Sequence, residues 1–496
     1  MTFLSHHSPI TTETSWSLNP DRALPAEPTT RALAREILSH TDHLPIVSMH
    51  GHVDASLLAD DENFADPAAL FITPDHYLVR MLVSQGAVSV ADLGLHPAAG
   101  APVGTAPANA DPREIWRRVC ENWHLFRGTP TRYWLEEVLI DVFGVPERLS
   151  ATTADFSYDH VVELLAQPEF RPRALFDRFG IELLSTTDAA DAPLDRHADL
   201  AGDGWGGRVI PTFRPDPLLE PLRPDWRENI DRLSIAASTD VGDYAGFIDA
   251  IRARRQAFVA AGARATDHSH LVADTQPVSD AEAQRLFSSA LTGQISPSDA
   301  ASFTAHMLFQ MARMSADDGL VMQIHHGVIR SHNGPLAAQY GDNIGFDIPA
   351  PVEFVKALQP ILETFGHARD FRLIVFTIDE TTYSRELAPL AGAYPAMRLG
   401  APWWYLDAPE AMRRFREATV ETAGFYNTTG FVDDTRAFCS IPARHGLSRR
   451  IDAGYLARLV AEHRLPLDEA IDTGIDLAYR LPKSSYPPIA PVKGAK

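Results

Sequence analysis

Two histidines stand two positions apart at the end of a short apolar run. His50 and His52 close the segment 45–52, whose first residues have the composition of a buried strand. Side chains at i and i+2 of an extended strand point to the same side, so both imidazoles can reach one cation. Imidazole is the commonest protein ligand for zinc, nickel, iron or manganese. Because two surface histidines would give the same pattern, the rest of the chain must decide.

The same arrangement recurs along the chain, because polar and ionisable residues follow other apolar segments. In barrels, the carboxyl ends of the strands carry the chemistry. Any one of these residues would also suit a turn or a solvated position, but their recurrence favours a common site. The residues at these predicted strand ends are Thr186 to Asp188, Arg214, Asp216, Asp267, His268, His325, Trp403, Trp404, Asp434 and Arg436.

The residue types in this set indicate a metal and an anionic ligand. His50, His52, His325 and Asp434 are hard-to-borderline ligands for one divalent cation, and about three protein ligands leave a position for water or substrate oxygens. Arginine forks match planar carboxylates. We therefore expect an anionic substrate, with surface ion pairs as the alternative for the three candidate arginines, Arg214, Arg330 and Arg436.

A third candidate group begins a predicted helix after the first strand. Asp75 is a good N-cap residue, which places His76 and Tyr77 in the first turn, at the same end of the barrel as His50. A histidine and a phenol there could move protons or bind hydroxyls. The alternative is a packed tyrosine beside an exposed histidine.

The elements that would position these residues alternate between strand and helix. Such alternation implies a parallel sheet, and about eight strands predict an α/β fold of the (β/α)8 TIM-barrel type. The predicted strands are 44–48, 181–186, 208–212, 263–268, 320–324, 372–377, 397–399 and 429–432.

The chain divides into five predicted segments. An N-terminal extension and helix (1–43) precede the start of the barrel (44–96), and an α-helical insertion (97–180) follows because no strand pattern interrupts its helices. The rest of the barrel (181–481) leads to a Pro-rich tail (482–496) that we expect to be loosely ordered.

Composition restricts the partners of this chain. Its 496 residues carry a net charge of −21, which argues against nucleic acid and anionic membrane as partners. The two cysteines, Cys120 and Cys439, form no CxxC pair and fit a reducing cytosol. Residues 1–28 lack the pattern of a signal peptide, and no apolar run approaches the roughly 18 residues of a membrane span. We therefore expect a cytoplasmic protein, with a homo-oligomer left open.

In their order along residues 40–480, the motifs resemble those of the uronate isomerase (glucuronate isomerase) family, which belongs to the amidohydrolase superfamily of metal-binding barrels. The motifs that carry the resemblance are His50-x-His52, Asp75-His76-Tyr77 with Arg80, Phe213-Arg214-Pro215-Asp216, Thr266-Asp267-His268, Met322-Gln323-x-His325-x-Gly327 with Arg330 and Asn333, Trp403-Trp404-Tyr405-x-Asp407, and Asp434-x-Arg436 with Phe438.

The resemblance implies interconversion of D-glucuronate with D-fructuronate, or of D-galacturonate with D-tagaturonate, by proton transfer from C2 to C1 through a cis-enediol. It implies one divalent metal, zinc by preference, that is not strictly required. The implied metal ligands are His50, His52, His325 and Asp434; the implied catalytic residues are His76, Tyr77, Asp434 and Arg436; the implied substrate contacts are Arg214, Asp267, Arg330, Trp403 and Trp404.

Four features depart from the family pattern. Ser48 stands where an aspartate is frequent, His326 replaces an aliphatic residue, Ser331-His332-Asn333 replaces an Asn-rich run, and Asp433 replaces a threonine. These differences bear on metal affinity and sugar preference rather than on the fold.

Two other functions fit parts of the sequence. A metal-dependent hydrolase of the lactonase kind uses the same barrel and histidine pair. The segments 186–188 and 212–216 hold no lysine that could bridge two metals, so such an enzyme would be mononuclear. A non-catalytic protein that binds sugar acids is the second alternative, but the presence of Asp434 and Arg436 argues against it.

Overall fold

The computed structural model describes residues 16–86, 88–206 and 208–489. Short parallel strands form the centre and helices surround them. The strands are β1 (Ile46–Ser48), β2 (Ile181–Ser185), β3 (Asp188–Ala189), β4 (Val209–Ile210), β5 (Phe213–Arg214), β6 (Ala265–His268), β7 (Val321–Ile324), β8 (Val328–Ile329), β9 (Ile348–Pro349), β10 (Leu373–Val375) and β11 (Met397–Leu399).

Helices account for most of the remaining described chain. The α-helices are α1 (Pro28–Ser39), α2 (Ala55–Asp60), α3 (Pro67–Phe71), α4 (His76–Ser84), α5 (Pro112–Glu121), α6 (Pro130–Glu137), α7 (Ala154–Leu165), α8 (Pro172–Arg178), α9 (Asp195–Leu200), α10 (Asp216–Leu219), α11 (Trp226–Ala237), α12 (Tyr244–Ala260), α13 (Asp280–Leu291), α14 (Pro297–Asp318), α15 (Gly334–Tyr340), α16 (Gln359–Phe365), α17 (Ala388–Ala393), α18 (Pro409–Ala423), α19 (Ile441–Ala461), α20 (Leu467–Ile475) and α21 (Leu481–Ser485). Single turns of 3-10 helix lie at Ala91–Leu93, Trp123–Phe126, Pro168–Phe170 and Phe438–Ser440, and π-helical turns at Val138–Val142, Ala201–Trp205, Tyr383–Leu387 and Asp476–Arg480.

The central strands pair in parallel as β1–β2–β4 and as β3–β5–β6–β7–β10–β11. Backbone hydrogen bonds from Thr186 N to Ile210 O (2.9 Å) and from Asp188 N to Thr212 O (3.0 Å) join the two ladders. β3 and β5 therefore continue β2 and β4 beyond a short break. The short pair β8–β9 is antiparallel and lies outside this sheet.

Residues 428–435 occupy the eighth strand position and close the barrel. Thr429 N donates to Leu399 O of β11 at 3.0 Å, and Asp434 N donates to His50 O at 3.2 Å. His52 N donates to Thr435 O at 2.9 Å. The predicted strand at 429–432 therefore has the expected place but no continuous ladder, because the backbone of Asp434 turns into the left-handed region at φ 44°. The predicted α/β barrel is confirmed.

Several core strands form because most of their side chains are apolar and buried on both faces, as in β7, where all four residues are buried. The described part of the stretch between β1 and β2 contains helices and no strand. The five-segment division of the chain stays a prediction, and residues 1–15 and 490–496 of its end segments lie outside the described residues. No helix in the described ranges has the length and apolar composition of a membrane span.

The expectation of a loose segment after Leu481 is wrong for its first residues. Leu481–Ser485 is helical, and Tyr486 is fully buried, with its hydroxyl donating to Gln323 Oε1 at 2.8 Å. Arg264 and Arg372, which immediately precede β6 and β10, donate to backbone carbonyls of 484–486. The segment therefore covers the amino ends of these strands, since an aromatic ring and several hydrogen bonds outweigh the flexibility that proline suggests.

Candidate active site

The two predicted histidines of the first strand and Asp434 of the eighth position form one cluster. The barrel closure brings them together, because their backbones are hydrogen-bonded neighbours. Asp434 Oδ1 lies 3.4 Å from His50 Nε2 and 3.2 Å from His52 Nε2. The three potential ligand atoms lie within 4.8 Å of one another.

This cluster fits a divalent metal. Neither ring nitrogen of His50 nor Oδ1 of Asp434 has a hydrogen-bond partner among the described residues, although all three atoms are buried. Buried polar atoms normally have a hydrogen-bond partner or a metal ion beside them, so three such atoms without a protein partner indicate a bound ion. Two ligands at ordinary zinc bond lengths in a tetrahedral site lie about 3.3 Å apart. The distances in the cluster match that spacing.

Electrostatics favours the ligand-competent forms of His52 and Asp434, whereas for His50 burial would lower the pKa but the carboxylates of Asp267 and Asp434 outweigh it and raise the pKa. Burial lowers the pKa of His52 to about 4, so its imidazole is neutral at pH 7. Burial alone would raise the pKa of Asp434, but the close approach of His50 and His52 to its carboxylate lowers it far below its ordinary value. Asp434 is therefore ionised, and its left-handed backbone is the kind of strained conformation that concentrates at functional sites.

Asp267 is the centre of a second network of charged side chains. Its carboxylate lies 2.9 Å from His325 Nε2, 3.2 Å from Arg214 Nη1 and 3.8 Å from His50 Nδ1. Burial would raise the pKa of Asp267, but the charges of His325, His50 and Arg214 lower it well below its ordinary value. Asp216 holds the other side of the Arg214 guanidinium at 3.0 Å from Nε.

Three predicted residues have different positions from those expected. His325 lines the cavity but directs Nε2 at Asp267, and among the described residues the group of potential ligands at this end of the cavity is His50, His52 and Asp434. Asp267 is fully buried and acts on the cavity through Arg214 and His325. Trp403 is only 1% exposed and stacks on Phe376 at 4.0 Å between ring centroids. The Trp403 ring packs behind His50 and His325, so its predicted substrate contact is corrected to a packing contact.

Asp75 begins α4 as predicted, with its carboxylate accepting from the backbone N–H groups of Tyr77 and Leu78. The Tyr77 hydroxyl donates to Asp407 Oδ1 at 2.8 Å and accepts from Tyr405 N at 2.9 Å. Burial raises the pKa of Tyr77 well above its ordinary value, so the phenol stays neutral. Arg444 completes this network at 2.7 Å from Asp407 Oδ2.

His76 and Arg436 line the cavity without such partners. No hydrogen bond or ion pair holds either side chain within the described part of the chain. Burial, followed by the charge of Arg436, lowers the pKa of His76 to about 3. His76 is therefore a neutral imidazole, and Arg436 is a free cation at the cavity wall.

The cavity at the carboxyl ends of the strands has a volume of about 630 Å³, a size that suits a small molecule. Arg330 lies at its wall, held at 2.9 Å from Asp347 Oδ2, with its guanidinium 5.0 Å from the centroid of the Trp404 ring. Of the residues predicted as metal ligands, catalytic residues or substrate contacts, those that line this cavity are His52, His76, Tyr77, Arg214, His325, Arg330, Trp404, Asp434 and Arg436.

Sequence reasoning assigned no role to several polar residues of the site. Asp407 belongs to one of the family motifs, but its partner Arg444 lies 37 positions further on, and no sequence pattern links the two. His270 follows His268 by two positions, the same spacing as His50 and His52, and this signal was available. The other missed wall residues are Glu220, Arg223, Asp342 and Asp347.

Comparison with known proteins gives consistent matches along nearly the whole chain. The model of the family described as glucuronate isomerase matches residues 29–484. The chain is 53% identical to the uronate isomerase of Rhizorhabdus wittichii over 95% of this chain and 98% of the relative. It is 52% identical to that of Phenylobacterium zucineum over 95% of this chain and 96% of the relative.

Solved structures agree with the fold. A crystal structure of glucuronate isomerase from Caulobacter crescentus superposes with a TM-score of 0.92 at 48% identity, covering 95% of this chain and 97% of that one. The uronate isomerase of Thermotoga maritima gives a TM-score of 0.86 at 24% identity, over 95% and 99% of the two chains, and supports the fold.

Proposed function

The chain belongs to the glucuronate isomerase family, and from this premise we propose that it interconverts an aldo-uronate and a keto-uronate in the rim cavity. The substrate pairs are D-glucuronate with D-fructuronate and D-galacturonate with D-tagaturonate. The observation that carries the proposal is the convergence of an ionised carboxylate, Asp434, with the cationic side chains of Arg214, Arg330 and Arg436 around one cavity. The hydrolase alternative is not favoured by the relatives.

The arginines would orient the substrate. Arg214 stands at the cavity wall with its guanidinium fixed by Asp216 and Asp267, so its fork is preorganised for the C6 carboxylate. Trp404 and Arg330 would form the opposite contact surface. Fixing C6 determines which carbon lies nearest Asp434.

Isomerisation needs one proton to move between carbons. A proton leaves C2 and arrives at C1, while the C1 carbonyl becomes a hydroxyl and the C2 hydroxyl becomes a carbonyl. Asp434 would accept and return the carbon-bound proton as an ionised base. Arg436, which has no competing partner, would stabilise the negative charge that develops on the carbonyl oxygen.

The oxygen-bound protons need a second group. His76 is neutral at pH 7 and can accept or donate a proton at the substrate hydroxyls. Tyr77 lines the cavity but already donates its hydroxyl proton to Asp407, so we assign it to positioning Asp407 and the Tyr405 backbone behind the cavity wall.

His50, His52 and Asp434 would hold one divalent ion, zinc by preference. When bound, such an ion supplies a positive charge that keeps neighbouring carboxylates ionised and attracts substrate oxygens. His325 stays a candidate ligand from sequence, although its Nε2 contacts Asp267. A cytoplasmic location and a homo-oligomeric state stay predictions.

An NMR assay in deuterium oxide tests the proposal. The protein is incubated with glucuronate and, separately, with galacturonate, and ketose formation and deuterium at C1 and C2 are followed. We expect ketose product with exchange confined to these carbons. Release of acid from an aldonolactone without ketose formation from either uronate would refute the isomerase and support the hydrolase.

A further inference from the structure

A second set of metal-type ligand atoms lies beside Arg214, on other strands than the His50 cluster. Asp216 follows β5, His268 ends β6, and His270 lies two residues further on. Asp216 Oδ1, His268 Nδ1 and His270 Nε2 lie within 4.8 Å of one another, and all three side chains are buried. In the described ranges, none of these three atoms has a hydrogen-bond partner. Three neighbouring buried polar atoms without hydrogen-bond partners are unusual, since such atoms normally have a partner.

One carboxylate oxygen of Asp216 already has hydrogen-bond partners, which leaves the other oxygen to face the cluster. Asp216 Oδ2 accepts from Ser269 N at 3.0 Å and from Arg214 Nε at 3.0 Å. These bonds fix the carboxylate plane and leave Oδ1 for another partner. An outer contact of this kind orients a ligand toward a metal.

In each of the two imidazoles, one ring nitrogen contacts a protein oxygen and the other has no partner. His270 Nδ1 lies 2.8 Å from Glu220 Oε1, and the carboxylate can only accept, so Nδ1 carries the proton and the neutral ring has its lone pair on Nε2. His268 Nε2 contacts Thr266 Oγ1 at 3.0 Å, which leaves Nδ1 free. A carboxylate behind a histidine is the usual support of a metal ligand.

The distances between the free atoms fit ligands better than hydrogen bonds. Asp216 Oδ1 lies 3.4 Å from His270 Nε2 and 4.0 Å from His268 Nδ1. Good hydrogen bonds between such atoms measure about 2.7–3.2 Å. Two ligands around one tetrahedral zinc lie about 3.3 Å apart.

We propose that Asp216, His268 and His270 form a second divalent-cation site, selective for an ion of the zinc class because two of its three ligands are imidazoles. Asp216 and His270 line the cavity, so the proposed site lies at the cavity wall. Since Asp216 also holds Arg214, an ion here would fix the orientation of that guanidinium. The site does not depend on the isomerase activity.

A proton is the competing occupant. Burial lowers the pKa of His270, but the charges of Asp216 and Glu220 outweigh it and raise this pKa above its ordinary value. A protonated His270 between Asp216 and Glu220 would also balance the negative charge of these carboxylates, without any metal. The experiment must therefore count ions rather than measure activity.

The test uses the full-length protein, stripped with a chelator, dialysed against Zn(II) and analysed for zinc per chain. The variants are His270→Ala, His52→Ala and the double variant, with His306→Ala as the matched control. His306 is also buried, and its Nδ1 accepts from Val278 N, but it is not a member of the ligand group.

We expect two zinc ions per chain in the unaltered protein and in His306→Ala, one in each single ligand variant and none in the double variant. One ion in the unaltered protein that His52→Ala removes and His270→Ala retains would overturn the proposal in favour of the proton. Loss of both ions in His52→Ala alone would overturn it as well.

A crystal of the unaltered protein grown with Zn(II) keeps the test decisive if a variant fails to fold. An anomalous difference peak between Asp216, His268 and His270 supports the site, and its absence overturns it. The His50 cluster in the same crystal reports separately on the metal of the proposed function.

Discussion

The two sides of the cavity differ in how their charged groups are paired. On the Asp267 side, Arg214, His325 and Asp216 are joined by ion pairs and hydrogen bonds of 2.9–3.2 Å. On the side of His76 and Arg436, the described residues offer these side chains no partner. A paired group has a fixed position and little freedom to exchange protons, whereas an unpaired group can change its partner during a reaction. The first side therefore suits recognition and the second suits chemistry.

The largest effect should come from Asp434→Asn. Loss of the base on the reactive side should lower kcat roughly a thousandfold or more, with a thermal unfolding midpoint near that of the unaltered protein. Asp433→Asn is the matched control. Asp433 accepts from Ser48 Oγ at 2.5 Å and lies 3.3 Å from His445 Nε2, so this change should lower stability more than turnover. Near-normal turnover in Asp434→Asn would refute its role.

The paired side predicts a stability effect for Asp267→Asn. This change leaves the Arg214 and His325 side chains without their shared carboxylate in a buried environment, and breaking a buried pair costs about 3 kcal/mol. Denaturant unfolding measures it. An unchanged free energy of unfolding would show that the ion pairs of Asp267 do not hold the Arg214 and His325 side chains in place.

His76→Gln tests proton transfer on the unpaired side. We expect kcat to fall roughly a hundredfold. Because the pKa of His76 is lowered to about 3, the ring is already neutral above that pH, and it should contribute no inflection to kcat/KM between pH 5 and 8. The measurement compares the pH profiles of the two proteins. An inflection near 6.5 that disappears in the variant would contradict the assignment.

A pair of matched lysine substitutions should give the smallest effects and divide the two sides by kinetic parameter. Arg214→Lys keeps the charge but loses the fork, so KM should rise roughly tenfold with kcat less affected. Arg436→Lys should lower kcat roughly tenfold with little change in KM. If KM and kcat changed by the same factors in both variants, the assignment of Arg214 to substrate recognition and of Arg436 to chemistry would be wrong.

Sequence patterns predicted the elements well because strand ends carry local signals. The apolar runs before His50, Asp267 and His325 located three of the strands, and parallel order placed their ends on one rim. Side-chain direction was harder to predict. Trp403 points into the core and Trp404 to the cavity because the backbone at 404 and 405 is left-handed, which no adjacent pair of tryptophans reveals.

Partners distant in sequence were beyond prediction for a physical reason. Whether Arg214 binds a substrate carboxylate or the protein's own Asp267 depends on the packing of separate strands, and the residue types are the same in both cases. The metal set shows the same limit, since His325 ends a strand as predicted but meets Asp267 first.

The Tyr486 side chain has a consequence for biosynthesis. It follows all eight strand positions in the sequence, and its hydroxyl reaches Gln323 inside the barrel. A nascent chain that has already formed every strand still lacks this ring, so water can reach the Gln323 amide until residue 486 has left the ribosome. A chain interrupted before that residue would leave Gln323 Oε1 without its Tyr486 partner and the barrel interior open to water. Such a chain would be exposed to proteolysis, even though every residue of the catalytic rim had been made.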